Sequence, residues 1–326
     1  MIFLNQEEAK VKINDFARKG SPFLFVVNSS MTKAIVCSSY EASRKGIFFN
    51  FNGVTNRQEK TYDHPEMTFD LYPPGFETYE RAFRKVQSHI RRGDTYLLNL
   101  TFPTKIRTNL TFQQIYEISN ASYKLLFRDQ FVVFSPEIFI RIQDGMIKGF
   151  PMKGTIDAAI PDAEKIILAD KKEFNEHNTI VDLIRNDLAM VATGIKVNRF
   201  RYIDRLHTNR KDLLQVSSEI SGILPVNYLS QLGDIIFTLL PAGSVTGAPK
   251  EKTLQIIRDA ETSDRGFYTG ICGYFDGNSL DSAVMIRFIE NTKNGMAFRS
   301  GGGITALSDI TEEFTELIDK VYVPVV

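Results

Sequence analysis

The segment Phe131 to Phe150 holds two apolar, strand-forming runs joined at Asp144-Gly145. An Asp-Gly pair between such runs favours a two-residue turn with positive φ at both positions, and that turn closes an antiparallel hairpin. Antiparallel pairing is therefore built into the middle of the chain. The first 75 residues alternate short β-like runs, such as Phe23-Leu24-Phe25-Val26-Val27 and Gly46-Ile47-Phe48-Phe49, with polar turns, and Pro73-Pro74-Gly75 punctuates the region. Helical periodicity follows over Glu77 to Arg91, with Phe83, Val86 and Ile90 on one face and Gly93-Asp94 at its end. Further helices are predicted over Thr111 to Ser122, Ala163 to Thr193, Val226 to Leu239, Lys250 to Ala260 and Thr311 to Val321, the last with a capping-box pattern at Asp309 and Glu312. Strands are predicted over Tyr96 to Phe102, Ile195 to Tyr202, Gly270 to Tyr274, Ser282 to Glu290 and Met296 to Ser300. No linker and no repeat separates these elements. One interleaved α+β domain over 1–326 is expected, with a β-rich portion, 1–75, and a motif-bearing portion, 76–326, that does not fold independently.

Charge gives no lead toward nucleic acid, because Lys plus Arg equals Asp plus Glu at 39 each. Local clusters must carry any anion binding. Cys37 and Cys272 are too few for a disulfide framework or a cysteine metal site, and His64, His89, His177 and His207 have no zinc-motif spacing. The N-terminus turns acidic at Glu7-Glu8 before a signal-like stretch develops, and no apolar run approaches the roughly 20 residues that span a membrane. A cytoplasmic protein is expected.

Lys153, in Gly149-Phe150-Pro151-Met152-Lys153-Gly154-Thr155, has no acidic residue within three positions and lies between an apolar strand and a turn. A partly desolvated amine at such a place can act as a nucleophile or base. The hairpin brings Glu137, 16 residues upstream, toward it, as an acid/base pair or as a structural salt bridge. Glu173 and Glu176 are three apart on one helix, and Glu313 and Glu316 repeat the spacing on the last. Two such pairs facing one cavity offer hard oxygens to Mg2+, although Glu-x-x-Glu also arises on exposed helices through composition alone. Gly301, Gly302 and Gly303 let backbone N–H groups approach an anion, and the turn from Thr246 to Lys250 is a second candidate anion contact. Arg287 stands in an otherwise apolar strand, either solvated, paired or lining a pocket, and Lys320 can support Glu316 four residues earlier. His177 reads as a packed histidine or a ligand-orienting one.

In their order these segments resemble the chorismate-utilising enzymes, which include anthranilate, isochorismate, salicylate and aminodeoxychorismate synthases. The carrying motifs are Ile90 to Leu100, Ser135-Pro136-Glu137, Pro151 to Thr155, Glu173 through Leu188, Gly243 to Lys250, Arg265 to Gly270, Ile286-Arg287, Gly301 to Ile304 and Ser308 to Lys320. The resemblance implies an α+β fold with extensive antiparallel sheets in a β-sandwich-like core flanked by helices. It also implies that Glu176 and Glu316, helped by Glu173 and Glu313, hold Mg2+ against the ring carboxylate of chorismate. Tyr268 and Arg287 would hold the enolpyruvyl carboxylate with backbone groups near Gly301 to Gly303, and Lys320 would neutralise carboxylate charge.

Lys153 selects the branch, since the aminodeoxychorismate enzymes typically carry Lys where the others have Ala. By that resemblance Lys153 attacks C2 of chorismate, Glu137 protonates the departing C4 hydroxyl, and ammonia then displaces the lysine to give 4-amino-4-deoxychorismate. The ammonia would come from glutamine through a separate amidotransferase subunit, component II, and the product would lead to p-aminobenzoate and folate. Anthranilate synthase and a chorismate- or amidotransferase-binding scaffold are the alternatives. The chain departs from the family pattern at Leu97, where Gln is usual, at Leu307, where Asp is common, at Gln215, where many relatives have His, and after Thr155, where an Arg-rich continuation is usual. No segment matches the tryptophan-like regulatory pocket, so feedback by tryptophan is not expected.

Overall fold

Five consecutive apolar residues form β1 (Phe23–Val27) in a computed structural model that describes residues 2–58, 66–206 and 212–325. His64 and His207 lie outside the described residues. Alternation sends Phe23, Phe25 and Val27 into one apolar core and Leu24 and Val26 into another. A strand apolar at every position is a strand covered on both faces.

That strand belongs to the first of two nine-stranded sheets, in which every pairing is antiparallel. Its long β13 (Leu213–Ile223) carries β12 (Thr193–Leu206) on one side, with β10 (Met146–Gly149) and β11 (Met152–Asp157) end to end on the other. The sheet continues from β10 through β9 (Ile138–Gln143), β16 (Leu280–Val284), β15 (Ile271–Phe275) and β1 to β2 (Ala34–Cys37). In the second sheet, β6 (Leu97–Thr108) is flanked by the short β5 (Phe69–Tyr72) and β14 (Gly247–Ala248) and by the long β18 (Gly295–Ile304). Beyond β18 come β17 (Phe288–Thr292), β8 (Phe131–Ser135), β7 (Tyr123–Phe127), β3 (Ile47–Phe51) and β4 (Val54–Thr55).

One apolar core, with Leu24, Val26, Phe49, Leu125 and Phe288, lies between the sheets. The outer face of the first sheet is covered by α1 (Gln6–Arg18), α6 (Lys171–Ala189) and α7 (Leu232–Leu239). The outer face of the second is covered by α3 (Phe76–Arg91), α4 (Phe112–Ile118), α8 (Lys250–Ala260) and α9 (Ile310–Asp319). Helix, sheet, sheet and helix form four layers, the sandwich that the sequence implied.

The hairpin is present: Gln143 pairs with Met146, and Asp144 and Gly145 have φ of 51° and 75°. Four readings need correction. The helix expected over Val226 to Leu239 is α-helical only from Leu232, after a separate 3-10 turn at Tyr228–Gln231. The β-rich first 75 residues also hold α1 and α2 (Ser39–Arg44), each opened by a reciprocal capping box, Asn5 with Glu8 and Ser38 with Glu41. The helix expected over Ala163 to Thr193 is two, α5 (Ala163–Ala169) and α6, because extended Asp170 caps the second and accepts from the Glu173 N–H at 3.0 Å. The strand expected over Ser282 to Glu290 is also two, since the chain leaves β16 for the other sheet and restarts as β17.

Candidate active site

The chain crosses between the sheets at Pro136-Glu137, from β8 to β9, and again at Met285-Ile286-Arg287, from β16 to β17. The crossings are tied together: the Val284 N–H donates to the Glu137 carbonyl at 3.0 Å, and the Phe134 N–H to the Arg287 carbonyl at 3.1 Å. Arg287 adopts φ of 52° and Thr269, whose N–H donates to the Met285 carbonyl at 2.9 Å, φ of 60°. Left-handed backbone costs a non-glycine residue roughly 1–2 kcal/mol, so the surrounding bonds must hold it there. Glu137, Tyr268 and Arg287 thus face the cavity from rigid backbone.

Burial pushes the Glu137 carboxyl up, against the pull of Ser244, Lys153, Arg287 and Lys320. Its Oε1 accepts a 2.5 Å hydrogen bond from Ser244 Oγ. A carboxyl raised in this way holds its proton to higher pH and is suited to giving it to a leaving group. Burial also pushes the Tyr268 hydroxyl up to about 12, leaving it a neutral donor. The buried Arg287 Nε has no hydrogen-bond partner among the described residues, a donor left for an anionic guest.

Lys153 lies in β11 opposite Val216 of β13, immediately before a bulge at Gly154, whose φ is 74°. The amine leaves the first sheet and approaches the second: Nζ lies 3.4 Å from where a Cβ on Gly303 of β18 would sit. Its acidic partner is distant in sequence, Glu176 Oε2 at 3.8 Å. Glu137 lines the same cavity as Lys153, whose charge acts to lower the Glu137 carboxyl.

Glu173 and Glu176 of α6 and Glu313 and Glu316 of α9 all line the same cavity, of about 1220 Å³. Burial and the charge of Glu176 raise Glu173. Burial raises Glu313 too, against a Ser308 hydrogen bond and with help from the charges of Glu316 and Glu176. For Glu316 burial also raises, but Lys320 outweighs it and holds the carboxyl low. Among the described residues no three acidic, His or Cys side chains stand in metal-ligand geometry, and Lys153 and Lys320 pair with Glu176 and Glu316. Four hard oxygen donors on two helices, repelling one another, nonetheless fit a divalent cation such as Mg2+.

The strand expected over Met296 to Ser300 runs on to Ile304, so the three glycines lie within β18. Pairing with β17 stops at Arg299, so this stretch is open on one side, and Lys320 Nζ donates there to the Gly301 carbonyl at 3.0 Å. A Cβ on Gly302 would stand 3.0 Å from Glu313 Oε2, so the bare backbone lets that carboxylate lie close against the strand.

Thr246 is buried and is not among the residues lining the cavity. The neighbour that enters the site is Ser244, which was not singled out from the sequence. The signal available was a hydroxyl at a Gly-Ser turn in the same segment. Asn99 was also missed; it lines the cavity with its buried Oδ1 unpartnered among the described residues. His177 is a packed histidine, bonded through Nε2 to Ser218 Oγ at 2.6 Å, and burial pulls it down to about 4. Of the departures, Gln215 lines the cavity, Leu97 is buried against Ile180 and Leu183, and Leu307 is exposed.

Residues 22–325 match the family of chorismate binding enzymes. An uncharacterized PabA-like protein of Pasteurella multocida is 50% identical over 314 residues, covering 96% of this chain and 97% of its own. Anthranilate synthase component 1 of Haloferax volcanii and aminodeoxychorismate synthase component 1 of Bacillus subtilis are each 30% identical, covering 83% and 82% of this chain. The chain spans 56% of the length of the first of those two and 58% of the second. The menaquinone-specific isochorismate synthase of Escherichia coli superposes with a TM-score of 0.75 at 16% identity, over 98% of this chain and 82% of its own. At that identity the likeness speaks to the fold alone.

Proposed function

This chain belongs to the chorismate binding enzymes, and within that family we propose that it converts chorismate and ammonia to 4-amino-4-deoxychorismate. The observation that carries the reading is the placement of Lys153, with its amine inside the cavity and its charge within reach of the Glu137 carboxyl. An amine and a proton-holding carboxyl beside one allylic alcohol supply the nucleophile and the acid of a displacement.

In this mechanism Arg287 and Tyr268 bind the enolpyruvyl carboxylate, the first through its unpartnered Nε. Lys320, between Gly301 and Glu316, supplies positive charge near the ring carboxylate. Glu176 and Glu316, with Glu173 and Glu313, would hold Mg2+, which when bound offsets the charge of the ring carboxylate against four glutamates. The Lys153 lone pair forms a bond to C2, both conjugated ring double bonds shift by one position toward C4, and the C4–O bond breaks as Glu137 gives its proton to the hydroxyl, releasing water. Ammonia then bonds to C4, both double bonds return, and the C2–N bond breaks with its electron pair going back to the lysine nitrogen. Glu137, now ionised, takes a proton from the new ammonium group, and Lys153 leaves as the free amine. The sum is chorismate plus ammonia giving aminodeoxychorismate plus water, with the enolpyruvyl group retained.

Ammonia is supplied in this reading by a separate glutamine amidotransferase subunit, because Cys37 and Cys272 are both buried and neither can serve as the thiol that attacks glutamine. Burial pushes both thiols up, further from the reactive thiolate. The product would feed p-aminobenzoate and folate synthesis. Among the described residues no helix is long and apolar enough to cross a membrane, and a cytoplasmic site of action accords with that.

The test is incubation of the purified protein with chorismate, Mg2+ and concentrated ammonium salt at alkaline pH, with products identified by mass. The expected product is 4-amino-4-deoxychorismate, lost by at least about a thousandfold in Lys153→Ala. Anthranilate synthase, named for a relative as similar as the aminodeoxychorismate enzyme, is the second reading. Anthranilate as the product of the unmodified protein would replace the first.

A further inference from the structure

The helices that carry the four glutamates have different main supports. α6 packs chiefly on β10 to β13 of the first sheet, with Ile180 and Leu183 reaching Leu97 and Ala248 of the second, whereas α9 packs on β18 and β6 of the second and on α3. The cavity lies between them, and Lys172 and Glu312 both line it. Each comes one residue before an inward-facing glutamate, Glu173 or Glu313, in the first turn of its helix. Both are on the rim, with side chains 45% and 70% exposed, and Lys172 Nζ meets Glu312 Oε2 at 3.4 Å. One ion pair therefore spans the opening from a helix of one sheet to a helix of the other.

We propose that Lys172 and Glu312 form a clasp across the mouth of the cavity, which gates the entry and release of chorismate. An exposed pair of this kind is weak and costs little to separate, which suits a contact that opens and closes with each turnover. With the pair made, the cavity of about 1220 Å³ still has room for a small-molecule guest. Lys172 and Glu312 are positioning residues on this view, and the inference rests on chorismate binding rather than on which product is made.

The direct experiment joins the two sides covalently. Lys172→Cys/Glu312→Cys in the full chain, linked by a short bismaleimide, gains a clean pair of reactive thiols because the native cysteines are buried. Chorismate exchange is then followed without ammonia. The linked protein should release chorismate at least about tenfold more slowly than the unlinked variant. Equal rates would sink the clasp. In steady state, Lys172→Glu should raise KM about fivefold with kcat little changed, and Lys172→Glu/Glu312→Lys should return KM to within about twofold. A swapped protein no better than the single variant would overturn the pairing. Formation of anthranilate instead of the 4-amino product would remove the proposed function and leave this result standing.

Discussion

The two walls of the cavity are built on opposite plans. On one, Glu137, Tyr268 and Arg287 sit at or beside chain crossings whose amides and carbonyls bond to each other, and two left-handed residues fix the path. On the other, four glutamates project from α6 and α9, two helices joined at the rim by an exposed ion pair. The first wall has geometry that side-chain changes scarcely alter; the second has charge that a guest can reorganise. Chemistry that needs an acid at a fixed place belongs on the first. Binding of anions and cations, with the opening and closing it requires, belongs on the second.

Substitutions can break this contrast. The largest expected effect is at the crossing wall: Glu137→Gln should lower kcat by about 100- to 10,000-fold, measured by product formation at saturating chorismate. If kcat stays within threefold, the acid lies elsewhere. Next comes Arg287→Gln, which keeps the length and removes the charge. A KM increase of about 10- to 100-fold is expected, larger than its effect on kcat. A loss confined to kcat would move Arg287 from binding to chemistry.

Ser244→Ala sharpens the comparison through pH. The Ser244 hydroxyl donates to the carboxylate form of Glu137 and so pulls its pKa down against burial. Removing the donor lets burial act unopposed by that bond, the acid keeps its proton to higher pH, and the alkaline limb of the rate profile should move upward. Movement downward, or none, would show that the bond does not tune the acid.

The smallest effect concerns stability. Because the folded-state pKa of Glu137 is raised above its unfolded value, the folded protein binds more protons than the unfolded one between the two. Stability is complete below the ordinary Glu value of about 4.3 and falls as pH rises toward the folded pKa. Glu137→Gln should therefore melt at a higher temperature than the unmodified protein at pH 7, and at nearly the same temperature near pH 4. A lower melting temperature at pH 7 would contradict the raised carboxyl.

Much of the scaffold was legible because its signals are local. The Asp144-Gly145 turn marked the β9–β10 hairpin, and α8 occupies the span read for it, Lys250–Ala260. The capping boxes of α1 and α2 were equally local and were overlooked beside the apolar strands around them. The crossing at Met285 to Arg287 left no local mark: Val284-Met285-Ile286-Arg287-Phe288 reads as one strand, and its break arises from pairing on both sides with different sheets. Glutamate pairs on α6 and α9 followed from helical spacing, but that they share a cavity depends on a sandwich no window of sequence contains. Thr246 and Ser244 are two residues apart in a turn where periodicity gives no rule for which side chain faces inward. The pairing of Lys172 with Glu312 joins positions 140 apart, beyond any pattern read along the chain.

Glu137 and Arg287 are held by bonds between the two crossings themselves, so the place of each is set within a few residues of backbone. Lys153 belongs to a strand of the first sheet and Gly303 to a strand of the second, so their approach is set by how the whole sandwich packs. Acid and anion anchor answer to the local chain, while the reach of the amine answers to the full thickness of the core.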